Sequence, residues 1–153
     1  MEKGEKILAE NRKAFHDYHI MDRYEAGIEL KGTEVKSCRA RQISLNDAYA
    51  MLEEDEVFLL NANIAVYEHG NRFNHTPVRE RKLLLHKREI RKLIQATREK
   101  GNTIIPLKVY LKNGKVKVEI ATAKGKTFGD KRESLKKKES DREMKRAVSA
   151  RGK

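Results

Sequence analysis

Leu107, Val109 and Leu111 alternate with polar residues, Asn113-Gly114 follows, and Val116, Val118 and Ile120 alternate on the return. No other stretch restricts the fold so strongly. A period of two puts alternate side chains on one face of a strand. Asn-Gly readily enters the left-handed region that a type I′ hairpin turn requires. The chain must therefore build on an antiparallel ladder, with Lys117 and Glu119 facing away from the apolar row.

The same alternation recurs upstream. Tyr24, Ala26, Ile28 and Leu30 read as a half-buried strand. Ala48–Leu52 and Val57–Leu60 read as two more, divided by the acidic turn Glu53-Glu54-Asp55-Glu56, with residues 63–67 extending the second or forming another. Leu83-Leu84-Leu85 reads as a short buried run, and residues 68–77 as an irregular loop. Helical spacing is clear at Ile90, Leu93, Ile94 and Thr97, predicting a helix from about His86 to Lys100 with Gly101 as its C-terminal cap. Thr33 is placed to cap a short helix whose face holds Val35 and Cys38. Several short strands and few helices predict a mainly β fold: an OB-fold-like antiparallel barrel with flanking α-helices, an architecture that often carries nucleic acid on an open face.

That body is expected to span residues 1–128, followed by a basic tail over 129–153. The last thirty residues hold twelve Lys/Arg against five Asp/Glu, a net +7 out of +12 for the 153-residue chain. Phe128, Leu135, Met144 and Val148 are nearly all their apolar content. Such a segment buries too little surface to offset its ordering entropy and is expected to order only on a polyanion. Glu133–Lys137 and Asp141–Lys145 are i, i+4 pairs of favourable orientation, so the bound form is expected to be helical.

Enzymatic motifs are scarce. A single cysteine excludes an internal disulfide framework and a Cys-rich zinc site, and fits a reducing cytoplasm. No apolar run approaches the roughly 20 residues of a membrane span, and no signal-peptide pattern opens the chain. The five histidines form no HExxH motif; His16 and His19 sit in what reads as a strand, where they would point to opposite faces. No nucleophile elbow and no phosphate loop occur. Glu34-Val35-Lys36 has the E-x-K spacing of some metal-dependent nucleases, in which the carboxylate holds a cation and the lysine polarises water. That reading needs further convergent carboxylates, and Asp47, Glu53 and Asp55 are the available ones.

Binding is the better-supported class. Cations cluster at Arg12 and Lys13 ahead of Phe15, His16 and Tyr18; at Arg72, Arg79, Arg81 and Lys82; and at Lys115, Lys117, Lys124 and Lys126. Lys and Arg meet phosphates, while Phe15, Tyr18, Phe73 or His16 can stack on unpaired bases.

Seven short stretches carry more. They are Asn11-Arg12-Lys13-Ala14, Tyr24-Glu25-Ala26-Gly27-Ile28, Leu30-Lys31-Gly32-Thr33-Glu34-Val35-Lys36-Ser37, Gly70-Asn71 to His75, Arg81-Lys82-Leu83-Leu84-Leu85-His86, Ala123-Lys124-Gly125-Lys126 and Asp130-Lys131-Arg132. In these the chain resembles the small protein B family, the SsrA-binding proteins of bacteria, over nearly its full length. The resemblance implies an OB-type barrel that binds transfer-messenger RNA (tmRNA, or SsrA RNA). The complex enters ribosomes stalled on messages without a stop codon, and the protein replaces the codon–anticodon part of a tRNA. It implies no catalytic activity, no cofactor, no metal and no membrane partner, and a monomer is expected.

By the same resemblance, Asn11, Arg12, Lys13, His16, Glu25, Gly27, Arg81, Lys82 and Leu84 are expected on an RNA-binding surface, with Lys117, Lys124 and Lys126 on a second patch. Asp130, Lys131 and Arg132, followed by Lys136, Lys137 and Lys138, are expected to meet ribosomal RNA at the decoding centre and in the mRNA channel. Cys38 stands where the family usually has an aliphatic residue. Gly129 stands where an aromatic or His often precedes the Asp-Lys-Arg motif, with Phe128 one residue earlier. Two rival readings stay open on sequence: a nuclease using Glu34 and Lys36, and a permanent ribosomal subunit protein.

Overall fold

The alternation read in the sequence closes on itself. A computed structural model describes residues 5–67 and 74–126. The expected hairpin is β8 (Asn102–Lys112) and β9 (Lys115–Gly125), with Lys112 opposite Lys115. Asn113 at φ 51° and Gly114 at φ 77° make its type I′ turn. β2 (Tyr18–Ile28) pairs with the other side of β9, Ala26 opposite Val118. β4 (Tyr49–Glu53) and β5 (Glu56–Leu60) form a second hairpin. Its turn is only Glu54-Asp55, because Glu53 and Glu56 already pair; both turn residues have positive φ (48° and 61°).

β7 (Arg81–Leu84) joins β5 to β2, and β4 meets β8 at Ala50–Ile104. The cycle β8-β4-β5-β7-β2-β9 returns to β8 through antiparallel pairs throughout. It is a partly closed barrel, since two junctions are thin: two residue pairs join β2 to β7 and one joins β4 to β8. β1 (Glu5–Glu10), which the sequence pattern did not reveal, runs along β8 with a register shift between Ile7 and Ala9. That shift breaks the alternation and leaves only Leu8 buried. β3 (Ile43–Ser44) and β6 (Asn63–Ile64) make a separate two-stranded sheet.

Among the described residues three helices surround the barrel: α1 (Arg12–Asp17), α2 (Gly32–Arg39) and α3 (Lys87–Thr97). α3 is the expected one, seated by fully buried Leu93. Its first turn is held by Glu89, which accepts from the His86 amide at 3.0 Å. It stops at Thr97, so Gly101 (φ 90°) serves the turn into β8 and not the helix cap. α2 begins before Thr33: Lys31 is its N-cap and donates its amide to Glu34 at 2.8 Å. The freed Thr33 hydroxyl donates to His75 Nδ1 (2.8 Å), because His75 Nε2 donates to the Ile64 carbonyl (2.8 Å). The buried face of α2 is Glu34, Ser37 and Cys38, with Val35 only half-buried. Burial pushes the Cys38 thiol up to about 12, which makes it an inert packing group.

α2 lies by the β8–β9 turn, where Arg39 donates to the Gly114 carbonyl (3.1 Å). α3 lies by the open end of the same hairpin, where Asn102 donates to the Ala96 carbonyl (2.9 Å). Neither end holds α1. Register shifts between Pro106 and Lys108 in β8 and between Ile20 and Arg23 in β2 accompany a second small core of Ile105, Leu107, Ala121 and Ala123. Ala14 of α1 packs against it, apart from the main core of Val57, Leu59, Leu83, Val109, Val118 and Ile120.

One ion pair lies deep in the body. Glu34 and Arg81 are both fully buried and bonded, Arg81 Nε donating to Glu34 Oε2 at 2.6 Å. Arg79 adds two bonds to the same carboxylate, Nε to Oε2 (3.1 Å) and Nη2 to Oε1 (2.5 Å). Arg81 Nη1 and Nη2 reach the carbonyls of Ala62 (2.9 Å) and Pro77 (3.0 Å). Burial alone would raise the Glu34 pKa, but bonds from Arg79, the Lys31 amide and Arg81 together outweigh it and hold it at about 2.

Glu34→Gln leaves the Arg81 guanidinium buried without a counter-charge, so denaturant unfolding is expected to show a loss of about 3–5 kcal/mol. Between its ordinary 4.5 and the folded value of about 2, Glu34 binds fewer protons in the folded chain than in the unfolded one. Its contribution is therefore present above about pH 4.5 and is lost as pH falls towards 2, a change of about 3 kcal/mol. Unfolding curves across that window should show this loss in the native chain and not in the Glu34→Gln variant.

Candidate nucleic-acid interface

Period two on β2, β7 and β9 decides which expected site residues reach the surface. In β2, Ala26 enters the core while Glu25 and Gly27 face out; in β9, Val118 enters while Lys117 and Glu119 face out. Gly27 sits opposite Lys117 on one side and Leu84 on the other. A Cβ built on Gly27 would lie 3.3 Å from Leu84 Cβ, so glycine lets Leu84 lie close against the strand. Leu84 itself is 46% exposed, unlike the buried run read from sequence; Leu83 alone of the three leucines is buried.

Glu25 is the polar centre of this wall. Its Oε2 accepts from the Tyr110 hydroxyl and from Lys112 Nζ (3.3 Å). The Tyr110 bond, with Lys112 and Lys117 nearby, holds the Glu25 pKa down against its desolvation and keeps it ionised. The Tyr110 hydroxyl is pushed up, by burial first and then by the same carboxylate. The Glu25 side chain stays 40% exposed, free to accept from base amino groups.

α1 adds the second part of the surface. Arg12 and Lys13 are exposed, with Arg12 loosely paired to Glu10 (3.7 Å). His16 is in this helix, not in a strand as expected, and its Nδ1 donates to Asp17 (2.9 Å). Phe15 is 46% exposed with the Arg23 guanidinium 5.7 Å from its ring centre, a ready platform for an unstacked base. Grooves flank the helix on both sides. One of about 420 Å³ is lined by Lys13, Tyr18, Asn46 and Tyr49; the other, of about 400 Å³, by Arg12, Phe15, Arg23 and Lys108.

Two expected surface residues are structural. Arg81 shares the inward face of β7 with Leu83, so alternation sends it to Glu34 while Lys82 and Leu84 turn outward. Asn11 is 8% exposed; its Nδ2 donates to the Pro106 carbonyl (2.9 Å) and its amide to Leu107 (2.8 Å), tying α1 to β8. The expected second patch also divides. Lys117 and Lys124 have opposite parity on β9: Lys117 joins the Glu25 wall, while Lys124 lies against Gly101 at the end of α3. Lys126 turns to α1, its Nζ donating to the Phe15 carbonyl (3.1 Å).

The nuclease reading fails on geometry. Glu34 is fully buried and neutralised by two guanidiniums, so it cannot hold a hydrated cation. Lys36 instead faces the Tyr67 ring at 5.3 Å. Among the described residues no group of three His, Cys, Asp or Glu side chains is arranged to hold a metal, and no helix is long and apolar enough to cross a membrane. Sequence reasoning missed Tyr110, Arg23 and Lys108 on the wall. The β8 alternation placed Tyr110 and Lys108 there in principle, but the shift after Pro106 obscured it. Arg72, Phe73, Phe128, Asp130, Lys131, Arg132, Lys136, Lys137 and Lys138 lie outside the described residues.

Known proteins resemble the chain along nearly its whole length. Residues 8–150 match the family model described as SmpB protein. The SsrA-binding protein of Carboxydothermus hydrogenoformans is 56% identical over 147 residues, covering 96% of this chain and 99% of the relative. That of Geobacillus thermodenitrificans is 56% identical over 154 aligned residues, covering 100% and 99%. A solved structure described as "tmRNA-SmpB: a journey to the center of the bacterial ribosome" superposes with a TM-score of 0.66 at 47% identity, covering 82% of this chain and 92% of that one. Family match, full-length identity and shared barrel concur, and the chain belongs to the SmpB family.

Proposed function

We propose that this chain is an RNA-binding adaptor that binds tmRNA (SsrA RNA) and delivers it to stalled ribosomes for trans-translation, performing no bond chemistry itself. The observation that carries the reading is identity above one half with SsrA-binding proteins along essentially the whole chain. The structured body grips tmRNA. Arg12, Lys13, Lys82 and Lys117 meet phosphates, His16 and Glu25 exchange hydrogen bonds with bases, and Gly27 and Leu84 give close apolar contact beside Lys117. Asn11 and Arg81 act beneath the surface as positioning residues, one for α1 and the other for β7. Lys124 and Lys126 flank the body where the basic tail departs.

The tail, residues 129–153, enters the unoccupied mRNA channel, with Asp130, Lys131 and Arg132 at the decoding centre and Lys136, Lys137 and Lys138 on channel phosphates. Its net charge and i, i+4 pairs favour a helix there once rRNA neutralises it. The body stands in for the missing codon–anticodon part of a tRNA. A reducing cytoplasm, where ribosomes work, is its compartment, and a monomer suffices for the role.

If about five phosphates are neutralised, log K for tmRNA should fall with log salt at a slope of about −3.5 to −4.5. A slope near zero in a filter-binding titration would remove the phosphate contacts from the account. Truncation after Phe128 is expected to leave tmRNA affinity within about threefold while abolishing tagging of stalled peptides. Loss of tmRNA affinity in that variant would show that body and tail are not separate in function.

A further inference from the structure

The outer face of α3 breaks two rules for a stable helix. Lys87 and Arg88 occupy its first turn, where the helix dipole favours anions. Lys87–Arg91 and Arg88–Lys92 are like-charge pairs at i, i+4, which repel. Glu89, the one acid in that turn, is committed to the His86 amide. Lys87, Arg88, Arg91, Lys92 and Arg98 are all exposed; Lys87 and Arg91 share a groove with Asp55, yet none of the five forms an ion pair among the described residues. Arg12, Arg23, Arg79, Arg81, Lys82 and Lys112 elsewhere on the body do have carboxylate partners. Exposed cations placed against local helix stability, with no carboxylate bonded to them, make this a surface suited to an external anion.

We propose that this face of α3 docks on the phosphate backbone of a double-helical segment of ribosomal RNA. The inference rests on the reading of the chain as a ribosome-rescue adaptor, and it concerns a surface separate from the tmRNA wall. α3 packs by the start of β8, near the Asn102–Lys124 pair, whereas Glu25 and Lys117 lie further along the sheet towards the β8–β9 turn. A ligand confined to the Glu25–Lys117 wall would leave it uncovered. The face carries no aromatic residue, in contrast to Phe15, Tyr18 and Tyr49 around α1, so it suits a duplex backbone and not splayed bases. From Lys87 to Arg98 it runs about 16 Å, with successive i, i+4 cations about 6 Å apart along the axis, close to the spacing of phosphates on one strand. Its C-terminal end meets Lys124 across Gly101, at the root of the basic tail. Body and tail then present continuous positive charge to one partner, the ribosome.

The test is the full-length variant Lys87→Gln/Arg88→Gln/Arg91→Gln/Lys92→Gln. Lys, Arg and Gln have nearly equal helix propensity and the substitutions remove the like-charge repulsion, so its circular dichroism should match the native chain and its melting temperature should be equal or slightly higher. Its affinity for purified tmRNA should stay within about twofold, because wall contacts are untouched. Binding of the protein–tmRNA complex to stalled ribosomes should weaken about tenfold or more, with a salt slope shallower by about 3 to 4. The charge-conserving set Lys87→Arg/Arg88→Lys/Arg91→Lys/Lys92→Arg should restore it, and Arg91→Glu alone should reproduce part of the loss. Unchanged ribosome binding by the glutamine variant would overturn the proposal. So would an equal loss of tmRNA affinity, which would assign α3 to tmRNA, or failure of the charge-conserving set to restore binding. Failure of the native chain to bind tmRNA at all would instead strike the adaptor reading on which this rests.

Discussion

A carboxylate with no access to water needs a partner that cannot lose its proton, and Arg81 supplies one to Glu34 with Arg79 beside it. The pair links three otherwise distant segments: Glu34 comes from α2, Arg81 from β7, and the guanidinium reaches the carbonyls of Ala62 and Pro77. Those segments also place Cys38, Ala62, Ile64 and Leu83 in the main core, but the β3–β6 sheet that frames them has only two strands. Charge-assisted bonds of fixed geometry add direction to that packing. Among the described residues no buried side-chain polar atom lacks a partner, so the network is complete and not merely tolerated. It also holds the register of β7, and with it the outward direction of Lys82 and Leu84.

The second constraint is the pair of register shifts in β2 and β8. A regular strand presents one face to a core and one to water. The shifts accompany a stretch of β8 that is buried on both faces, Ile104 on the barrel interior and Ile105 and Leu107 on the small core beneath α1. That second core is what mounts Arg12, Lys13 and His16 beside the Glu25–Lys117 wall. α2 and α3 close opposite ends of the barrel. The body thereby carries the Glu25–Lys117 wall on its side and the basic face of α3 at one end, two charged surfaces held apart by the same barrel.

Much of this was legible in the residues. The Asn113-Gly114 hairpin, the β4–β5 hairpin and the Ile90–Leu93–Ile94 stripe appear where periodicity placed them, because each satisfies its local rule within one short window; Leu107 is the departure, moved by the register shift from the row of Val109 to the small core. β1 escaped notice because a register shift breaks its alternation, and α1 because six residues are too few to show a helical period. Leu83-Leu84-Leu85 misled by composition: three leucines read as a buried run, yet alternation exposes the middle one. Arg81 misled in the opposite direction, since a cation in a basic cluster reads as surface until its strand neighbour Leu83 shows which way it points.

Sequence alone determined the antiparallel hairpins, the amphipathic third helix, the excess of positive charge and, through seven short motifs, the family. These are properties of neighbouring residues and of summed charge, and no folding is needed to read them. Tertiary structure alone decided that Glu34 is a buried anchor and not a metal ligand, that Lys117 and Lys124 belong to different surfaces, and that Tyr110 orients Glu25. Each depends on which strand lies beside which, and in what register. That choice arises from closing the barrel, where contacts between residues as far apart as Glu25 and Tyr110 are selected together.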